Sequence, residues 1–170
     1  MNLRKSVLRV LGVAAIAVGT VLGTTTTASA DPAPAAGWWP YGGTFGALGQ
    51  NAWCNGLVDI HVETDPTKPA WAKVTAVSRG MNGNGPEWAA NPKCKLNVTV
   101  AWSDAIAPFY HTTAMPAEFG PEPGASVSTE IHPSSGLAMI GASTSYADPT
   151  TFQFQPQISY GGGQGFFIIP

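Results

Sequence analysis

Charge is scarce in this chain, cysteine scarcer, and helical periodicity is missing altogether. Only 18 of its 170 residues are Lys, Arg, Asp or Glu. Three of the eight basic residues, Arg4, Lys5 and Arg9, sit at the very start, and Lys68, Lys73, Arg79, Lys93 and Lys95 are scattered. Phosphate backbones need clustered Lys and Arg, so no nucleic-acid partner is expected. Two cysteines, Cys54 and Cys94, without His or Cys neighbours at ligand spacing, do not make a zinc site. No metal and no cofactor is expected. No run of about ten residues keeps a helix period between the glycines and prolines.

Motifs for catalysis are equally thin. The nearest approach to a nucleophile elbow, Gly141-Ala-Ser143-Thr-Ser145, lacks the closing glycine and a following helix. Gly161-Gly-Gly-Gln-Gly165 has the glycines of a phosphate cradle but no Lys-Ser/Thr pair, and reads as a hairpin turn. No catalytic residue is assigned, and a non-enzymatic role is favoured.

What the chain does have begins with a leader. Arg4, Lys5 and Arg9 form a positive start, residues 11–22 a short apolar core, and Ala28-Ser29-Ala30 an A-x-A cleavage signal. The apolar run falls short of the ~20 residues of a spanning helix. Residues 1–30 are therefore expected to be a cleaved secretory signal peptide, and the mature chain to carry no transmembrane helix. Cleavage would leave five basic against ten acidic residues, a net charge of −5.

The mature stretch holds all 15 prolines, 17 of the 20 glycines and every one of the aromatics. Aromatics in that number argue for a packed fold, and Gly and Pro in that number for many turns. The organising segment is Cys94–Asp104, where Cys94, Leu96, Val98, Val100 and Trp102 alternate with Lys95, Asn97, Thr99, Ala101 and Ser103. Alternation of that kind is an amphipathic strand with one buried face. Further strands are expected at 57–63, 71–77, 109–115, 125–132, 137–146, 151–160 and 166–169, with Pro156 placing 151–160 at an edge. Residues 78–93 read as a long Gly/Asn/Pro connection. Two cysteines in an exported chain are expected to form one disulfide, Cys54 to Cys94.

About seven or eight strands at turn spacings of ~8–14 residues predict an all-β, immunoglobulin-like antiparallel sandwich, with a small β-barrel as the alternative. Trp71 is expected near the disulfide. Pro92 stands where an immunoglobulin domain would carry tyrosine, two residues before the second cysteine, so the architecture is expected and not the family. The expected organisation is a leader over 1–30, a Pro/Gly/aromatic segment over 31–50 and a single β-domain over 51–170.

The candidate binding residues are aromatic. Trp38, Trp39 and Tyr41 crowd the 31–50 segment, and Trp88 lies in the long connection. Such rings stack on sugars, anchor at interfaces, or fold back as a lid. Asp59, His61 and Glu63 share one strand face, which reads as a solvated face against a metal or acid–base site. His111 and His132 stand alone and would matter only if they met His61. Among the carboxylates Asp59, Glu63, Asp104, Glu118, Glu122 and Glu130, only separation in space would reveal a glycosidase pair. Asn97-Val98-Thr99 matches a glycosylation sequon, but Val98 faces the core.

The function expected is a secreted or surface-held binding module at or outside the cell envelope. Its partner would be an envelope component, a polysaccharide or a protein. An oligomeric or pore-forming envelope protein is the first alternative, and a small hydrolase using His61 or His111 the second.

Overall fold

The computed structural model describes residues 31–49, 53–104, 110–144 and 159–170. The leader, the 105–109 turn and most of the expected 151–160 strand lie outside the described residues. Eleven strands and one short helix follow in order. The strands are β1 (Ala33–Pro34), β2 (Gly37–Trp38), β3 (Thr44–Leu48), β4 (Asn55–Thr64), β5 (Ala72–Asn82), β6 (Cys94–Asp104), β7 (Tyr110–Phe119), β8 (Ser126–Ile131), β9 (Gly136–Thr144), β10 (Ser159–Gly161) and β11 (Gln164–Ile169); α1 (Pro86–Ala90) precedes β6.

They form two antiparallel sheets packed face to face, a β-sandwich. One runs β10-β3-β4-β5-β8, with β1 also paired to β4; the other runs β2-β11-β9-β6-β7. Period-two alternation explains the pairing. Val58, Ile60 and Val62 of β4, Val74 and Ala76 of β5, and Leu96, Val98 and Val100 of β6 are buried between the sheets. A one-residue slip of any of these strands would expose its whole apolar set, so the buried face fixes the register. β6 spans the predicted residues and lies between β9 and β7.

Cys54, just before β4, and Cys94, the first residue of β6, form the disulfide, with Cα atoms 5.5 Å apart. The bond joins one sheet to the other at one end of the sandwich. Gly49 lies against it: a methyl group there would overlap both sulfurs.

Three sequence expectations need correction. Trp71 does not pack near the disulfide. Ala72 pairs with Thr64, at the far end of β4 from Cys54. Ten strand residues separate the two ends, roughly 30 Å at ~3.3 Å per residue. There Trp71 is buried, and the Lys68 ammonium sits 4.6 Å from its ring centroid. Secondly, residues 78–93 are not all connection. β5 continues through Ser78, Arg79, Gly80 and Met81 to Asn82, and α1 follows. Thirdly, 161–165 does not close a hairpin within one sheet. β10 pairs with β3 in the six-stranded sheet and β11 with β9 in the other, so the glycines carry the chain across the sandwich.

Residues 31–49 enter both sheets. β1 lies on the edge of β4, β2 on the edge of β11, and β3 returns to β4. The chain thereby crosses from one sheet to the other and back, covering one open side of the sandwich.

Candidate functional site

The outer faces of the two sheets differ sharply in chemistry. On the six-stranded sheet, Asp59, His61 and Glu63 point outward, as their parity requires, and charged partners meet two of them. Asp59 accepts hydrogen bonds from Thr44 Oγ1 at 2.5 Å and Arg79 Nε at 2.7 Å. Glu63 lies 3.4 Å from Lys73, which is itself paired in register with Glu130 on the next strand. Cross-strand pairs of this kind make a solvated, self-satisfied face. Among the described residues, no group of three His, Cys, Asp or Glu side chains is placed to hold a metal ion.

The histidines do not converge. His61 lies on this outer face, whereas His111, on β7 of the other sheet, stacks on Trp102 with centroids 5.5 Å apart and planes at 25°. His132 is exposed just beyond β8. The carboxylate closest in character to a partner for His111 is Asp104, and Ser134 engages it by donating its backbone N–H at 2.7 Å. Among the described residues these contacts assemble no nucleophile–base relay.

Three aspartates are held below the usual carboxylate range, each by hydrogen bonds to its charged form. For Asp59 the main cause is Arg79, then Thr44 against the opposing effect of burial. For Asp65 it is the Thr67 hydroxyl and backbone N–H, with Lys68 adding a smaller contribution. For Asp104 it is Ser134, aided by the charge of His111. Lower values in the folded chain mean that the unfolded chain binds protons first, so these groups stabilise the fold above the ordinary aspartate value of about 3.9. That stability is lost as pH falls through the depressed folded values. The melting temperature should therefore hold from neutral pH to about 5 and drop below about 4. Asp65→Asn and Asp104→Asn variants should start lower and show a shallower acid limb. Limbs as steep as the parent's would refute the assignment.

The outer face of the five-stranded sheet is of another kind. Residues Leu137, Met139, Gly141 and Ser143 of β9, Gln164, Phe166 and Ile168 of β11 and Ala101 and Ser103 of β6 share it. Its charged residues on β6 and β7, Lys95 and Glu118, are paired in register near the Cys94 end. Trp38 extends this surface: it pairs with Phe166 and stacks on it, centroids 5.1 Å apart and planes at 22°. Trp38 remains 54% exposed, Ile168 52% and Leu137 41%. Tyr41, 81% exposed, rims a cleft of about 360 Å³ that opens beside β9 and β11. Its floor is Ala101, Gly141 and the glycine crossover, and Ser143 and Gln164 supply its polar groups.

The four sequence candidates are thus divided. Trp38 lies on this face through Phe166, and Tyr41 rims the cleft that β6, β9 and β11 share. Trp39, the next residue along from Trp38, turns the other way, packs against the core and meets Phe167 edge-on at 5.0 Å and 75°. Trp88 lies over Gly83 at the disulfide end, half-buried against the core. Sequence reasoning missed Phe166, Ile168, Leu137 and Gln164. The available signal was the run Phe166-Phe167-Ile168-Ile169, apolar at both parities: a strand cannot bury both faces in a two-layer sandwich.

Among the described residues, no helix is long and apolar enough to cross a membrane. Comparisons of the chain with protein-family models, with curated proteins and with solved structures find no match.

Proposed function

We propose that the protein is an exported, non-enzymatic binding module acting at or outside the cell envelope. Its working surface is the outer face of the five-stranded sheet. The observation that carries this reading is the contrast between the two outer faces. One carries the Asp59–Arg79 and Glu63–Lys73 pairs with Leu57 as its exposed large apolar side chain, while the other presents Trp38 on Phe166 beside Leu137, Ile168 and the Tyr41 cleft. Contiguous exposed apolar surface rimmed by polar groups marks an interaction site. The leader pattern and the disulfide support an oxidising, extracytoplasmic location. A flat aromatic platform with a carboxamide and a hydroxyl at its margin suits an envelope component, a polysaccharide or a protein partner.

Single substitutions separate binding from folding, because Trp38 and Trp39 face opposite ways. The 31–170 protein is tested for retention on cell-wall, insoluble polysaccharide and lipid-vesicle preparations, with sizing of each variant. Trp38→Ala is expected to abolish retention while losing only the stack on Phe166, about 1 kcal/mol. Trp39→Ala is expected to lower stability by about 3 kcal/mol through lost core packing, and to bind whenever folded. Retention of Trp38→Ala at the parent level would remove this face from the function. A dimer on sizing that Trp38→Ala dissociates would assign the face to a second copy of the chain.

A further inference from the structure

A second aromatic site lies at the disulfide end, away from the sheet face. Trp53 is 87% exposed, the most exposed large apolar side chain described, and its backbone sits at φ 46°. A bulky aromatic in the left-handed region is strained, and an exposed indole returns no packing energy for that strain. The next residue, Cys54, is fully buried in the disulfide, which anchors the backbone on the C-terminal side of Trp53. Trp53 borders a cleft of about 430 Å³ whose other described lining residues are Asn84, Gly85, Pro86 and Glu87. The rest of the lining is held by contacts of its own. The Ala89 N–H reaches the Gly85 carbonyl at 3.1 Å, and Trp88 anchors the turn against the core.

The lining selects among ligands. Glu87 is the one charged side chain among the described lining residues, so phosphate, sulfate and carboxylate ligands are disfavoured. One indole is not the aromatic cage that captures quaternary ammonium groups. An alkyl chain would find little apolar wall beyond the indole and the Pro86 ring. What remains is a flat π surface beside a carboxylate that accepts hydrogen bonds and a carboxamide that both donates and accepts. A pyranose ring matches this set: its C–H face stacks on the indole, and its hydroxyls donate to Glu87 and exchange hydrogen bonds with Asn84.

We propose that the Trp53 cleft is a saccharide subsite, taking one or two neutral pyranose units of a glycan chain. It does not depend on the outer-face reading, since no residue is shared between the two sites. On a polymeric glycan the two sites acting together would add avidity.

The test is an NMR titration of the 31–170 protein with cellohexaose, laminarihexaose and chitohexaose, following the indole N–H signals. The Trp53 signal is identified by its absence in Trp53→Gly. That variant removes the ring and relieves the backbone, so it should melt no lower than the parent. At least one hexasaccharide is expected to shift the Trp53 signal, Trp53→Gly to weaken its binding about tenfold, and Asn84→Ala to weaken it about threefold. Trp38→Ala should bind at this site as the parent does, which keeps failure of the sheet face distinguishable from failure here. The proposal is overturned if no hexasaccharide moves the Trp53 signal up to about 10 mM, where even a millimolar complex would be mostly formed. It is equally overturned if Trp53→Gly binds as tightly as the parent, or if tetramethylammonium shifts the signal at concentrations where the sugars do not.

Discussion

Replacing Cys54 and Cys94 together by alanine is expected to lower folding stability by about 4 kcal/mol. The bond closes a loop across a sequence separation of 40, and the entropy that such a loop removes from the unfolded chain is worth about that much at 25 °C. Alanine is the right replacement because both sulfurs are fully buried, and a serine hydroxyl would add a desolvation penalty of its own. Typical domains are stable by ~5–15 kcal/mol, so the loss is a large share of the whole. It should appear as a lower denaturant midpoint with a smaller change in slope, and reduction of the parent should reproduce it. The location of the bond adds a structural consequence. Cys54 and Cys94 begin strands that are interior to their two sheets, so the staple holds the layers together where β4 and β6 start. Hydrogen exchange in the alanine variant should therefore rise first at Asn55–Leu57 and Lys95–Asn97, with the Trp71 end still protected. A stability loss below about 1 kcal/mol would mean that the unfolded chain is already compact around this loop.

Strand parity carried most of the fold into the sequence. β6 was legible over its full length because five consecutive same-parity residues, Cys94 to Trp102, are apolar and one face is buried. The middle of β4 was legible for the same reason through Val58, Ile60 and Val62, and so was the disulfide, from a cysteine count of two and the leader pattern that predicts export. The second half of β5 was hidden. Ser78, Arg79 and Gly80 resemble loop chemistry, yet Ser78 is buried and accepts the Gly124 N–H, and Met81 donates to the Gly120 carbonyl. Those partners are some forty residues away, beyond any local pattern. Sheet order was hidden likewise: that β2 would lie on β11, and β10 on β3, depends on contacts spanning most of the domain. The binding face was half legible. Trp38 and Tyr41 stood out as aromatics, but a two-residue strand has too few residues to reveal that Trp38 faces solvent and Trp39 the core. Phe166 and Ile168 became part of the surface only once β11 was known to lie beside β2.

At the glycine crossover between the sheets one added methyl group should do heavy damage. Gly163 sits at φ 115°, and a Cβ there would stand 2.6 Å from the Ala142 carbonyl oxygen and 3.3 Å from the Phe45 ring. The same residue accepts the Ala142 N–H at 2.7 Å and donates its own N–H to the Gly42 carbonyl at 2.9 Å. It thus ties the crossover to β9 and to the N-terminal segment at once. The Ala142 backbone on one side and the buried Phe45 ring on the other leave the methyl nowhere to go, so Gly163→Ala combines left-handed strain with a steric clash against the strand it is bonded to. The expected cost is about 3–4 kcal/mol, at the upper end for a point substitution. Gly124 supplies the control. Its φ is 99°, but a Cβ there would meet nothing within 4 Å, so Gly124→Ala should cost only the conformational strain, about 1 kcal/mol. Urea unfolding of both variants measures the difference. Equal losses would show that backbone conformation alone demands glycine at 163. A loss two to three times larger at Gly163 would show instead that the crossover is a close-packed junction, one in which Tyr41 and the floor of its cleft are held in place by the same contacts that join the two sheets.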